Sequence, residues 1–178
     1  MVYRVYVEKK PEFANEARSL CAELRGLLGI TALESVRIIC RYDAEDIDAE
    51  LFDYATRTVF SEPQLDIASS DISADGFTVF AVEYLPGQFD QRADSAAQCI
   101  QLISHGGRPT VRTAKVYLLG GTLGEGDLEK IKNTSSTPSR QENAVFRCPS
   151  RLRAEPSRRT AFPPLTALPS SQTRGCAI

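Results

Sequence analysis

The chain has 178 residues, of which 42% are hydrophobic and 25% are charged, and its net charge is −2. This length and composition fit one globular domain with or without a tail. No apolar run approaches the roughly 20 residues of a transmembrane helix, and no signal-peptide pattern is present, so we expect a cytoplasmic protein without a membrane partner.

Charge and proline are distributed unevenly along the chain. Residues 134–178 contain seven Arg, no Lys and two Glu, a balance of +5, so residues 1–133 carry −7. Six of the ten prolines also lie after residue 133. This composition predicts a disordered Ser/Pro/Arg-rich tail over 134–178 rather than a nucleic-acid-binding arm, because prolines interrupt the arginines and aromatic residues are sparse. We therefore expect a folded domain over 1–133 and no nucleic-acid partner.

The first part of the folded region reads as strand, helix, strand and helix. Alternating apolar residues predict strands at 3–8 and 35–42. Apolar residues at helical spacing predict one helix between Pro11 and Gly29 and another over 46–60. The polar connection that follows, 61–76, has no assigned structure.

The same order of elements then begins again. The pattern predicts a strand at 77–84, a turn at Pro86-Gly87, a helix from Phe89 to about His105, a strand at 111–119, a turn at Gly120-Gly121 and a helix opening at 126–133. "VEKKPEF" (7–13) matches "VEYLPGQF" (82–89) with one inserted residue. The sequence therefore predicts two pseudo-symmetric β-α-β-α halves, about 1–60 and 77–133, packed as one two-layer α+β domain.

Residues that could carry chemistry are scarce. The five cysteines are scattered without a CxxC pair, and His105 is the only histidine, so we expect reduced core thiols and no zinc site. The glycine-rich "GGTLGEG" (120–126) lacks the Lys-Ser/Thr ending of a phosphate-binding loop and is interpreted as a turn. No catalytic, cofactor-binding or metal-ligating residue is predicted.

One string is specific enough to suggest a family. "AVEYLPGQFDQRADSAAQCIQL" (81–102), followed by "VRTAKVYLLGG" and "DLEKIKN", resembles the N-terminal region of the large, single-chain (PurL-type) phosphoribosylformylglycinamidine synthases. The opening "MVYRVYVEKKPEF" is similar to that family's start, so the resemblance covers about residues 1–133. The signature cluster, as we name it, consists of Pro86, Gly87, Gln88, Phe89, Asp90, Gln91, Arg92 and Asp94.

The resemblance implies a PurS-like N-terminal domain, which corresponds to a small dimeric subunit in the split form of the enzyme. The family enzymes are ATP-dependent amidoligases of purine biosynthesis, which convert formylglycinamide ribonucleotide, ATP and glutamine to formylglycinamidine ribonucleotide. Their ATP and Mg²⁺ site lies in a synthetase domain, and a glutaminase domain lies at the C-terminus. By this resemblance residues 1–133 form a non-catalytic scaffold without a cofactor of its own. Its partners are the synthetase and glutaminase domains, which are absent here, so the fragment alone is expected to be inactive.

The resemblance ends abruptly after Asn133. There the family typically continues "YVINPVEARE", whereas this chain has "TSSTPSRQE" (134–142). The family string can be written as TAC GTC ATC AAC CCC GTC GAG GCA AGA GAA. Read from its second base, this gives Thr-Ser-Ser-Thr-Pro-Ser-Arg-Gln-Glu, the residues at Thr134–Glu142. The hypothesis is a one-base frameshift near Asn133, in the gene or in its sequencing, with an out-of-frame tail that has no evolved function.

Two other functions stay open. The chain could be a stand-alone PurS-like scaffold subunit of a split enzyme, although such subunits carry one half rather than two. It could also be an ACT-like sensor, because repeated α+β halves form ligand pockets at their interface.

Overall fold

The computed structural model describes residues 1–84, 87–135 and 144–147, and it confirms a mixed α+β fold. The strands are β1 (Val2–Lys9), β2 (Leu33–Glu45), β3 (Asp66–Ser69), β4 (Phe77–Tyr84), β5 (Thr110–Gly121) and β6 (Ala144–Arg147). The helices are α1 (Asn15–Leu27), α2 (Ala49–Ala55), α3 (Gln91–Ser104) and α4 (Glu125–Ser135), and a π-helical turn (Thr56–Phe60) continues α2.

The strands form one sheet in the order β3-β1-β2-β5-β4-β6, and each neighbouring pair is antiparallel. The two longest strands, β2 and β5, pair along nearly their whole length at the centre of the sheet. At the middle of this seam Cys40 lies opposite Lys115. Because the sheet is continuous across β2 and β5, the earlier and later parts of the chain share one hydrogen-bonded layer.

Helices from each part of the chain pack against residues of the other part. Leu24 of α1 is fully buried in a cluster that contains Phe80 of β4 and Ile131 of α4. Conversely, Ile100 of α3 is fully buried in a cluster with Phe52 of α2 and with residues of β1 and β2. Each of the two clusters on this face of the sheet therefore draws residues from both parts of the chain.

The other face of the sheet carries a smaller cluster and a network of ion pairs. Tyr6, Ile39, Ala81, Val116 and Leu118 are buried there, and Ile72 and Ala74 of the β3–β4 connection pack against them. The arginines beside this cluster have carboxylate partners, as in the pairs Arg4–Asp43, Arg37–Glu8 and Arg41–Glu83. Alternation along the strands places these charged residues between the apolar ones.

Two segments differ from the sequence prediction. The connection 61–76 contains β3, whose Asp66 is buried and accepts a hydrogen bond from the backbone of Glu62. Gly120 and Gly121 belong to β5 rather than to a turn, because the strand runs very close to its neighbour there. A Cβ on Gly121 would lie 2.0 Å from the Ala32 carbonyl oxygen, and its φ of +125° suits glycine.

The predicted disordered tail is only partly described. Helix α4 extends through Ser135, and Ala144–Arg147 forms β6 on the free edge of β4, so these residues differ from the prediction. The sequence Ala-Val-Phe-Arg combines β-branched and aromatic residues that favour a strand. Residues 136–143 and 148–178 lie outside the described residues.

None of the described helices is long and apolar enough to cross a membrane. Cys21 and Cys40 are half-buried and pack against the core clusters, which agrees only in part with the prediction of core thiols. Cys99 is exposed, so the prediction is wrong for that residue. Cys148 and Cys176 lie outside the described residues.

Candidate functional site: the signature cluster and the adjoining cavity

Asp90 connects the start of α3 to strand β5. One carboxylate oxygen accepts a hydrogen bond from the backbone N–H of Ala93 at 3.0 Å and so caps the helix. The other oxygen accepts from both the N–H and the hydroxyl of Thr113, at 3.2 and 2.7 Å. Asp90 therefore fixes the direction in which α3 leaves the sheet.

The other members of the cluster are mostly on the surface. Asp94 forms an ion pair with Arg108, which follows the end of α3. Phe89 is 71% exposed, although an aromatic side chain usually gains from burial. Gly87, Gln88, Gln91 and Arg92 are also exposed, Gly87 has a φ of +90°, and Pro86 lies outside the described residues. The cluster thus combines one internal brace, Asp90, with an exposed surface.

Replacement of Asp90 by Ala should destabilise the protein by about 2–3 kcal/mol, because it removes a helix cap and leaves the Thr113 donors without their acceptor. The matched control is Asp94→Ala, which breaks a partly exposed ion pair and should cost less than about 1 kcal/mol. Urea denaturation of the two variants measures the difference. Equal losses would show that the bonds to Thr113 contribute nothing.

A polar cavity of about 600 Å³ adjoins the cluster on the helix-covered face of the sheet. It lies over the seam between β2 and β5, where Cys40 is opposite Lys115, and the first turns of α3 form one wall. The residues that give it polar character are Tyr84, Gln91, Arg92, Ser95, Thr113 and Lys115. A second cavity of about 740 Å³ adjoins it, and Cys40 and Arg92 line both. Each of the two cavities is in the size range of small-molecule sites.

Arg92 is the charged group that connects the two cavities. Its Nη1 donates to the Cys40 sulfur at 2.9 Å, and its side chain is also hydrogen-bonded to Tyr42. Desolvation disfavours the guanidinium, but Cys40, Tyr42 and, to a smaller extent, Glu16 together outweigh it, so the pKa of Arg92 is raised and the group stays cationic. Within the described part of the chain, no carboxylate lies within 4 Å of this guanidinium.

Lys115 supplies a second cation, and Glu16 at the start of α1 partly neutralises it. The Nζ–Oε1 distance is 2.7 Å, and the Glu16 side chain is 66% exposed. In the first cavity Arg92 and Lys115 are the charged lining residues, so that lining is positively charged. The adjoining cavity is also lined by the acidic residues Glu8, Glu16, Glu62 and Asp66.

Tyr117, two residues beyond Lys115 on the same strand face, is buried and stacks on Phe80 with ring centroids 4.9 Å apart. Burial, followed by the nearby Glu16 and Cys40, raises the pKa of Tyr117 to about 12. A tyrosine in the unfolded chain titrates near pH 10. The unfolded state therefore loses its proton first as the pH rises.

Stability should accordingly fall between pH 10 and pH 12, by at most about 1.4 kcal/mol per pH unit for this one group. Denaturation at a series of pH values, with phenolate absorbance as a second signal, measures the effect. Tyr117→Phe should remove this part of the pH dependence, and an unchanged curve for that variant would contradict the assignment.

The remaining sequence candidates occupy structural positions. His105 is exposed and ends α3 in a left-handed conformation with φ of +51°. In the glycine-rich segment, Asp127 accepts a hydrogen bond from the Gly124 N–H at the start of α4. Among the described residues, no group of three or more His, Cys, Asp or Glu side chains could hold a metal ion.

The sequence identified Arg92 as part of the signature cluster, but it did not identify the residues that line the cavity together with Arg92. Cys40, Thr113 and Lys115 come from strands that are distant in the sequence. One feature of the sequence could have indicated these residues. The polar residues Thr113 and Lys115 lie on the same face of β5 as the buried Tyr117 and Leu119. Polar residues at helix-facing positions of a strand indicate a place where the helix layer is open.

The chain was compared with known proteins at three levels. No family model, no curated protein and no solved structure matches it.

Proposed function

We propose that residues 1–133 form the PurS-like N-terminal domain of a phosphoribosylformylglycinamidine synthase, a scaffold that holds the synthetase and glutaminase domains together. In this proposal the chain belongs by family to an ATP-dependent amidoligase and is inactive by itself. In this proposal ATP and Mg²⁺ bind in the synthetase domain of the family enzyme and not in residues 1–133.

The observation that carries the proposal is a repeat in the strand register. Val7 of β1 lies opposite Cys40 of β2, and Val82 of β4 lies opposite Lys115 of β5. Val82 follows Val7 by 75 positions, and Lys115 follows Cys40 by the same number. This agreement supports two pseudo-symmetric halves related by a local two-fold axis beside the Cys40–Lys115 pair.

The helix packing supports the same proposal. The first helix of each half, α1 or α3, packs in the cluster that contains the second helix of the other half. Such an exchange is expected when the two copies of a dimeric subunit are joined in one chain, because each copy completes the core of the other.

The exposed part of the signature cluster supports a role in docking. Phe89 presents a large apolar side chain to solvent beside Gln88 and Gln91. Exposed aromatic residues are enriched at protein interfaces, where burial of the ring stabilises the complex. We propose that this surface contacts the synthetase domain.

A complementation experiment tests the scaffold function. A family enzyme lacking its N-terminal domain is mixed with residues 1–135 of this chain, and glutamine-dependent formation of formylglycinamidine ribonucleotide is measured. We expect activity only in the mixture. Phe89→Ala should reduce it, whereas Leu102→Ala, an equally exposed apolar residue at the far end of α3, should not. A mixture that stays inactive although both parts are folded would refute the proposal.

The frameshift is a separate proposal with its own test. Insertion of one base after codon 133 should restore "YVINPVE" and a long open reading frame. If the nucleotide sequence does not contain this frame, the frameshift proposal fails, while the scaffold proposal stands.

One observation favours the alternative, a stand-alone scaffold subunit with a tail read in frame. Strand β6 pairs with β4 in the register that β3 uses on β1. If the tail is out of frame, β6 is incidental, and deletion of residues 136–178 should change the stability by no more than about 1 kcal/mol, the scale of one net hydrogen bond. A loss of several kcal/mol would favour the in-frame alternative.

A further inference from the structure

The charged groups around the signature cluster are paired, with one exception. Asp90 is bound by Thr113, Asp94 by Arg108 and Lys115 by Glu16. Arg92, in contrast, uses its hydrogen-bond donors on a thiol and a phenol. A guanidinium has five N–H donors, so these two contacts leave several of them available toward the cavity.

Arg92 is an exposed residue, and its contribution to the lining of both cavities distinguishes it from arginines that face only solvent. Its guanidinium lies over the sheet, between α3 and the central strands, at the junction of the two cavities. Arg37 and Arg41 on the opposite face are neutralised by Glu8 and Glu83 at 2.6 and 2.5 Å. Arg37 and Arg41 thus have carboxylate partners, whereas among the described residues no carboxylate lies within 4 Å of the Arg92 guanidinium.

We infer that the cavity is a binding site for a small molecule that carries a carboxylate or phosphate group, with that group bound by the Arg92 guanidinium. Charge-assisted hydrogen bonds to a planar guanidinium are among the strongest polar contacts a protein can offer to such oxyanions. Lys115 adds a second positive charge, and the Ser95 hydroxyl is a further polar group in the lining. The adjoining cavity is lined in part by Phe13, Val36 and Val59, beside which an apolar portion of the ligand could lie. Acidic residues also line this cavity, so the charged group of the ligand is placed at Arg92 in the first cavity.

This site goes beyond the scaffold function and does not depend on it. It gives Arg92 a role that docking through Phe89 does not require, because Arg92 lines both cavities whereas Phe89 is in the lining of neither. The scaffold proposal can fail while the anion site remains, and the reverse also holds.

The test uses the full chain with inorganic phosphate, pyrophosphate and acetate as probes, at low ionic strength to limit screening. Binding is followed by calorimetry and by the NMR signal of the Arg92 side-chain Nε–H. We expect saturable binding of at least one probe, a shift of that signal on binding, and at least tenfold weaker binding in Arg92→Gln. The probe that binds more tightly identifies the preferred group, phosphate or carboxylate.

The matched control is Arg112→Gln, because Arg112 is an exposed arginine on β5, adjacent to Thr113 but on the other face of the sheet. Its loss should change the affinity by less than twofold. Equal weakening in both variants would show non-specific attraction and overturn the inference. The absence of saturable binding by any probe to the wild type, or an Nε–H signal that does not move, would overturn it as well.

Discussion

Expressed separately, residues 1–75 and residues 76–135 should not fold as monomers. Two of the hydrophobic clusters combine side chains from both segments, and the central seam of the sheet joins β2 of one to β5 of the other. A segment of 60 to 75 residues is already close to the size limit for independent folding. Without the other half, it would also expose one side of its longest strand.

Each isolated segment should therefore give the circular dichroism and narrow NMR dispersion of an unfolded chain, or form a dimer with a second copy of itself. A mixture of the two should recover the spectrum of the intact protein, because the seam and both clusters form again. The intact chain over 1–135 is the control. A folded monomer of either segment alone, with a well-dispersed spectrum, would contradict both this expectation and the exchange of helices on which it rests.

This expectation depends on an arrangement that the sequence predicted only in outline. Periodicity placed β1, α1, β2, β4 and α3 within a few residues of their observed bounds, because each has a regular apolar pattern of its own. Periodicity does not state which helix covers which strands. That α3 packs near Phe52 and Phe60 of the preceding half depends on contacts between residues far apart in sequence.

The missed elements have similar causes. Strand β3 has only four residues, so its local sequence pattern is short. It pairs with β1 where Lys9 lies opposite Asp66, and the side chains of these two residues also form an ion pair of 2.8 Å. Glycines at positions 120 and 121 indicated a turn, but the structure uses them where β5 passes too close to Ala32 and Ser35 for a side chain. In both cases the local sequence was compatible with either a strand or a loop, and a tertiary contact determined that a strand formed.

The roles of the candidate-site residues could not be predicted from the sequence for the same reason. The sequence identified the signature cluster as specific and could not assign a role to its side chains. Asp90 acquires its role from Thr113, and Arg92 from Cys40 and Tyr42, which lie more than 20 positions away. A role that depends on a partner across the sheet cannot be derived from spacing within one helix.

A single substitution in α3 should test the crossing of the helices more directly than dissection of the chain. Ile100 is fully buried and packs in the cluster formed by the first half, beside Phe52 and Phe60. Replacement of Ile100 by Ala should destabilise the protein by about 2–5 kcal/mol, the cost of the lost burial and of the cavity that remains. This is a large part of the roughly 5–15 kcal/mol by which a domain of this kind is stable.

The matched control is Ile103→Ala, one turn further along α3, where the side chain is 39% exposed and the loss should be much smaller. Denaturation with guanidinium measures both variants. Hydrogen exchange then locates the damage. If α3 supports the first half, Ile100→Ala should lower protection in β1, α2 and the π-helical turn at least as much as in β4 and β5. Loss of protection confined to β4 and β5 would mean that α3 stabilises its own half, and the two halves would then be independent units rather than one interlocked domain.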